Sequence, residues 1–381
     1  MTDWRELTRA PLRAVGPYTP GASVAEMHAR YGVNDLARLN WNESLFGPLP
    51  GVLDEAAAQL GEAWMYPEQA YLDLRAAVAR RHALTPAHVL PGHGIQALII
   101  TLASAFVSPG DTVVVPRPTY GLYAQACRVA GAVVHAVDTC ELRIDLDTLA
   151  AAARAHDARL VWVCDPNNPT GDLLDADAWS GFLDALPARC VAVADEAYMD
   201  YVAPERRPDR AADVAAGRRL VVLRTFSKIF GLAGLRLGYA LVDPELAPYL
   251  NSVQEPFNVN RTALAAGVAS LAREELISER RLQAVAAREL LAARLRDGGL
   301  EALPSEANFD LVALRADDLV VAERLARRGL LVRAGSEFGL PGYARVTVGP
   351  SALMERAAAE LTAACRHRIG AGAPNMRRSP K

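Results

Sequence analysis

The sequence has few of the features that would commit a chain to an oxidising compartment, a membrane or a nucleic acid. Its 381 residues hold five cysteines, Cys127, Cys140, Cys164, Cys190 and Cys365, spread without CxxC or metal-ligand spacing. Three lie in or beside apolar runs, so packing as reduced thiols is expected, with no metal site. The opening Met1-Thr2-Asp3-Trp4-Arg5-Glu6 has no apolar signal region, and no stretch is long and apolar enough to span a bilayer. A cytoplasmic location follows as the expectation, with no membrane partner. The net charge is only -3, which gives no reason to expect nucleic acid or an anionic membrane surface. No GxGxxG opens an early strand–helix–strand unit, so a dinucleotide-dependent dehydrogenase is not indicated. Internal repeats and a low-complexity core are also missing.

What is present reads as a globular enzyme. Hydrophobic residues make up 51% and charged residues 22% of the chain, and the length suits two domains. An irregular arm and a short helix fill residues 1 to about 35, with turn chemistry at Pro17-Tyr18-Thr19-Pro20-Gly21. Helical periods follow over 52–60 and 71–82. Gly92-His93-Gly94-Ile95-Gln96 opens a helix to about Phe106. From there apolar strand runs alternate with helices: Thr112 to Pro116, Ala132 to Val137, Leu160 to Cys164, Val191 to Ala194, Leu220 to Leu223 and Leu237 to Val242. That alternation predicts an α/β fold with a doubly wound, mostly parallel sheet. After Asn260 the composition shifts. Long helices over 262–297, a strand at Phe309 to Leu314, a helix over 318–328, strands at Leu330 to Val332 and Ala344 to Val348, and a last helix ending near His367 predict a smaller α+β domain.

The polar residues of interest all follow strand ends, where open α/β sheets bind ligands. The stretch Arg224-Thr225-Phe226-Ser227-Lys228, leading through Gly231 and Gly234 to Arg236, sets a lysine beside two hydroxyls and near an arginine. Such a set suits a ligand with both an aldehyde and a phosphate: the amine forms a Schiff base, and the hydroxyls and guanidinium hold the anion. A solvated surface lysine is the alternative. Gly94, Ile95 and Gln96 can offer backbone N–H groups to an anion at a helix start, or form an ordinary turn. Tyr120 is placed to stack on a flat ring or to pack in the core. Asn167-Asn168 can present an amide. Asp195 directly follows a buried strand, where a carboxylate is costly unless paired, for instance with a protonated ring nitrogen; helix capping is the other reading.

Taken together, Tyr66-Pro67-Glu68, Pro118-Thr119-Tyr120, Asn167-Asn168-Pro169-Thr170-Gly171, Asp195-Glu196-Ala197-Tyr198, Ser227-Lys228 with Arg236, and Arg345-Val346-Thr347-Val348-Gly349 resemble the pyridoxal-phosphate aminotransferases of fold type I. Within these the chain is most similar to the histidinol-phosphate aminotransferase branch, over roughly residues 15 to 365. The resemblance implies pyridoxal 5'-phosphate as cofactor, an amino donor and a 2-oxo acid acceptor as substrates, and a homodimer with shared sites. Lys228 would bind the cofactor covalently and carry protons. Asp195 would pair with the ring nitrogen, and Asn168 and Tyr198 with its phenolic oxygen. Tyr120 would stack on the ring. Gly94, Ile95, Gln96, Thr225, Ser227 and Arg236 would hold the phosphate, with Tyr66 reaching across to the neighbouring subunit's. Arg345 would clamp the substrate carboxylate or its equivalent, and Arg333, Tyr18 and Asn42 would contact the substrate.

Two positions depart from the pattern: Ile95, where relatives carry a hydroxyl or an acid, and His93, read as a loop histidine. The expected divisions are an arm and part of the small domain over 1–45, a cofactor domain over 46–265, a small domain over 266–368 and a disordered tail over 369–381. Transfer from histidinol phosphate to 2-oxoglutarate is the leading expectation. An aromatic or specialised-biosynthesis amino donor stands next, followed by decarboxylation, elimination, cyclisation or oxidation on the same fold. A non-catalytic ligand sensor is least favoured, since every catalytic position is filled.

Overall fold

A computed structural model describes residues 3–17, 24–33 and 35–366; Tyr18, His367 and the expected disordered tail lie outside the described residues. The strands in chain order are β1 (Ala37–Arg38), β2 (Val89–Gly92), β3 (Thr112–Arg117), β4 (Val133–Asp138), β5 (Leu160–Cys164), β6 (Val191–Asp195), β7 (Leu220–Thr225), β8 (Gly238–Leu241), β9 (Glu301–Ala302), β10 (Phe309–Ala313), β11 (Leu330–Leu331), β12 (Arg333–Ala334) and β13 (Tyr343–Thr347).

Seven of them form the central sheet in the order β2-β8-β7-β6-β5-β3-β4. The five strands from β7 to β4 run parallel, and all residues of β5 and β7 are buried, as expected for strands covered by helices on both faces. β8 is antiparallel to β7, and β2 to β8. The sequence reading did not include β2. Pro91 interrupts its pattern, and a proline without an N–H is tolerated because β2 is an edge strand.

Strand order reverses beside β3: the chain goes from β3 outward to β4, then returns to the other side of β3 for β5. The crevice beyond the carboxyl ends of β3 and β5 is therefore the topological switch point. Thr119 and Asn167 leave those two strands and are joined there, Thr119 Oγ1 donating to Asn167 Oδ1 at 2.9 Å.

A second, antiparallel sheet has the order β12-β13-β10-β9, and β1 pairs in parallel with β11. The expected single strand at Leu330 to Val332 is thus divided. Leu330–Leu331 pairs with β1 and Arg333–Ala334 with β13, because the chain passes between two sheets at Val332. The helices Glu274–Asp297 and Ser351–Arg366 pack together behind this sheet. One buried apolar cluster runs continuously from Leu39 through the central sheet to Ala364.

Candidate active site

The anion-binding end is built by the turn from β2 into the helix Gly94–Phe106. No side chain caps the first turn of that helix, so its N–H groups face outward. Gly94 has φ +73, and a Cβ there would lie 2.8 Å from Arg236 Nη2. The missing side chain keeps open a cradle between backbone and guanidinium. Gly238 works from below: a Cβ on it would stand 3.0 Å from Ile95 N. Arg236 is itself left-handed (φ 57) and donates through Nη2 to Gln96 Oε1 at 3.1 Å; Gln96 Nε2 donates to the Tyr120 hydroxyl at 2.9 Å. Gln96, expected to offer its backbone N–H, also links Arg236 to Tyr120 through its side chain. Thr225 closes the end of β7 and accepts from Ser227 N at 3.0 Å. His93 is exposed at the helix start.

Lys228 follows the turn after β7. Its Nζ donates to Asn42 O at 2.7 Å and Trp41 O at 3.3 Å, and lies 5.4 Å from the centroid of the Tyr198 ring. Burial, then the Arg345 guanidinium, pulls its pKa down to about 7, against the opposing pull of Glu43 and Asp195. Near neutral pH a large share of this amine is therefore unprotonated and nucleophilic.

Asp195 ends β6 and is 3% exposed. Burial raises its pKa to about 6, although the Tyr123 hydroxyl donates to Oδ2 at 2.5 Å and Ala197 N to Oδ1 at 3.0 Å. A carboxylate desolvated to this degree lacks a cation at contact distance, and a protonated ring nitrogen would supply one. The sequence reading missed Tyr123, which also stacks on Trp162 with centroids 4.9 Å apart. Its only sequence signal is its place on the first turn after Tyr120, where an aromatic reads as core.

Two sets of hydrogen bonds hold the remaining residues. Asn42 Nδ2 donates to the Tyr198 hydroxyl at 3.0 Å, and Asn42 N donates to Thr347 Oγ1 at 3.0 Å. Arg345 donates to Asn168 Oδ1 and to Asn40 O, both at 2.6 Å. Arg333 stands directly opposite Arg345 across β12 and β13, so both leave the same face of the sheet. Arg333 also pairs with Glu337 at 2.9 Å. Lys228, Asn42, Tyr198 and Thr347 thus form one hydrogen-bonded set and Arg345, Asn168 and Asn40 another, and the Arg345 charge lowers the pKa of Lys228 and opposes the rise at Tyr198. Tyr66 is apart from it: 78% exposed, its ring stacked on Phe257.

These groups fit pyridoxal phosphate by their own chemistry. The side-chain-free cradle at Gly94 with Arg236 suits the phosphate, the depressed Lys228 amine suits the aldehyde, and the desolvated Asp195 suits the ring nitrogen.

Residues 34–361 match the family described as aminotransferase class I and II. The chain is 38% identical to the histidinol-phosphate aminotransferase of Moorella thermoacetica, over 90% of this chain and 88% of that one. It superposes on the crystal structure of histidinol-phosphate aminotransferase from Sinorhizobium meliloti, in complex with pyridoxal-5'-phosphate, with a TM-score of 0.87 and 29% identity, covering 94% of this chain and 97% of that one. An aspartate aminotransferase double mutant from Thermus thermophilus gives a TM-score of 0.81 at 25% identity, covering 94% and 99%.

Proposed function

We propose, from the premise that the chain belongs to the class I and II aminotransferases, that it moves an amino group between histidinol phosphate and a 2-oxo acid such as 2-oxoglutarate. The chain is a pyridoxal-phosphate-dependent aminotransferase. The observation that carries the choice of donor is the placing of Arg333 opposite Arg345 on one sheet face. Two guanidiniums side by side suit substrates with two separated polar ends, and each can grip a phosphate or carboxylate by two parallel hydrogen bonds. The names of the similar curated proteins support the same choice.

When bound, pyridoxal phosphate supplies an aldehyde that combines with amines and a ring that takes up electrons. This chain's residues do the rest. Lys228 holds the cofactor covalently and moves a proton at the substrate carbon that bears nitrogen. Asp195, fixed by Tyr123 and Ala197 N, keeps a proton on the ring nitrogen. Asn168 and Tyr198 orient the ring through its phenolic oxygen, and Tyr120 covers one face. The N–H groups of Gly94, Ile95 and Gln96, with Thr225, Ser227 and Arg236, bind the phosphate. Arg345 holds the carboxylate of the 2-oxo acid and Arg333 the distal anion, with Asn42 and Tyr18 completing the substrate contacts. Two such chains form a dimer in which Tyr66, exposed in the single chain, reaches the partner's phosphate. The working divisions are a cofactor domain over 46–265 and a small domain over 266–368 joined by residues 1–45, and the dimer works in the cytoplasm.

A donor panel tests the substrate: histidinol phosphate, phenylalanine, tyrosine, arginine and aspartate, each with 2-oxoglutarate. Histidinol phosphate should give the highest kcat/KM. A higher value for an aromatic donor would replace this reading with aromatic transamination.

A further inference from the structure

A cavity of about 570 Å³ lies away from Lys228, between the helix Leu72–Arg81, the junction of the helices Arg261–Leu271 and Glu274–Asp297, and the segment around Arg207. Its size falls within the ~300–1,000 Å³ of small-molecule sites. None of the residues assigned above to cofactor or substrate lines it.

Four arginines do: Arg80, Arg81, Arg207 and Arg224. Two are balanced by carboxylates. Arg224 pairs with Glu196 at 2.6 Å and Asp200 at 3.3 Å, and Arg81 pairs with Asp200 at 2.9 Å and also with Glu274. Arg207 is different. Its guanidinium donates to two backbone carbonyls, Val202 O at 2.9 Å and Asp200 O at 3.1 Å. A carbonyl satisfies an N–H but leaves the positive charge in place. Arg80 is exposed at the end of its helix and enters no ion pair among the described residues. The remaining lining acid, Asp209, caps the helix Arg210–Ala215 through Ala212 N and keeps its negative charge, which offsets part of this excess.

The neighbours register the excess. His82, on the cavity wall and 2.9 Å from the Tyr239 hydroxyl, is held neutral with its pKa down at about 3, by burial first and then by Arg224, with Arg81 and Arg207 adding to it against the opposing pull of Asp200. Arg207 is itself pushed below the usual arginine range by burial first, against the opposing pull of the Asp200 carboxylate, with Arg224, Arg281 and Arg81 adding to the push.

We propose that this cavity is a second ligand site, which takes a small phosphate monoester between Arg207 and Arg80. Arg80 and Arg207 line one cavity and enter no ion pair among the described residues, and a phosphate monoester offers three acceptor oxygens and about −1.5 to −2 charges at pH 7, enough to pair with both. Bidentate N–H···O bonds from two arginines also match three phosphate oxygens.

The test is isothermal titration of the full-length, cofactor-loaded protein with glycerol 3-phosphate, succinate and glycerol. Glycerol 3-phosphate should bind in two saturable steps, one at the active site and one here. Arg80→Gln and Arg207→Gln should each weaken one step at least tenfold and leave the other step, and the KM for the amino donor, unchanged. Arg80 is exposed, so its variant keeps the test open should Arg207→Gln fold poorly. A single step in the wild type overturns the proposal, as does an isotherm that neither variant alters. Equal binding of succinate at the same step, lost in both variants, overturns the phosphate assignment.

Discussion

The amine of Lys228 donates at 2.7 Å to the backbone carbonyl of Asn42, a residue 186 positions earlier in the chain. Asn42 adopts φ 56, a left-handed conformation that asparagine tolerates better than most residues. In that conformation its carbonyl meets Lys228 and Asn308, while its side chain reaches the Tyr198 and Thr347 hydroxyls. One residue thereby ties the lysine of the central sheet to β13 of the second sheet.

Lys228→Ala should retain the cofactor non-covalently through the phosphate contacts while kcat falls by at least about a thousandfold, the scale expected for loss of a covalent, proton-moving group. Borohydride reduction of the wild-type enzyme followed by peptide mapping should fix the cofactor to Lys228. The sequence contains only one other lysine, Lys381. A label there would remove Lys228 from its role.

The depressed pKa of that amine has its own readout. In the cofactor-free protein, reductive methylation of Lys228 should rise with pH through a midpoint near 7, where an ordinary lysine would rise near 10.5. The sign follows from the cause: burial disfavours the charged form, so the proton leaves earlier. A midpoint above 9, by mass spectrometry of the modified peptide, would show that the amine is solvated.

Asp195→Asn separates stability from chemistry. Because the folded-state pKa is raised to about 6, the native carboxyl favours its protonated form. Its contribution to stability is fully present below about pH 4 and is lost as pH rises through 6. Cofactor-free Asp195→Asn should therefore melt no lower than wild type at pH 8. It should nonetheless bind cofactor more weakly and turn over at least about a hundredfold more slowly. Near wild-type turnover would mean that the ring nitrogen is not held by Asp195.

Much of this was legible in the sequence, for a physical reason. Parallel strands buried on both faces read as unbroken apolar runs, so β3, β5, β6 and β7 stood out, and the residues just past their ends were marked with them. Features that depend on tertiary contact did not show. β2 was hidden by Pro91, which only an edge position permits. Tyr123 looks like any helical aromatic until the fold sets it against Asp195. Gln96 gave no sign that its amide would join Arg236 to Tyr120. A scarcity of lysine was the one compositional signal left unused.

Tyr66 tests assembly. Its ring is 78% exposed, and Trp64, two residues before it, is 81% exposed. Two large aromatics left bare beside each other are unusual for a chain acting alone. Tyr66→Phe should weaken cofactor binding several-fold while analytical ultracentrifugation still shows a dimer. A fully active monomer at low concentration would rule out a shared site.

Arg333 and Arg345 divide the work on the substrate, and their different environments say how. Arg345 is buried and bonded to Asn168 and Asn40 O, so replacing it would disturb the cofactor's surroundings as well as substrate binding. Arg333, on the same face, is held by the partly exposed Glu337. The Arg333 side chain is only 15% exposed while Glu337 is 38% exposed, so an incoming phosphate can exchange with Glu337 from its open side and restore the charge pairing that the arginine loses. Arg333→Leu should therefore raise the KM for histidinol phosphate at least about tenfold, the loss expected when a charged hydrogen bond to phosphate is removed. KM for an uncharged aromatic donor should change less than about threefold, and kcat for either donor should change little, because the contact is made equally in ground and transition states. Equal rises for both donors would show that Arg333 supports the sheet and does not read the distal anion.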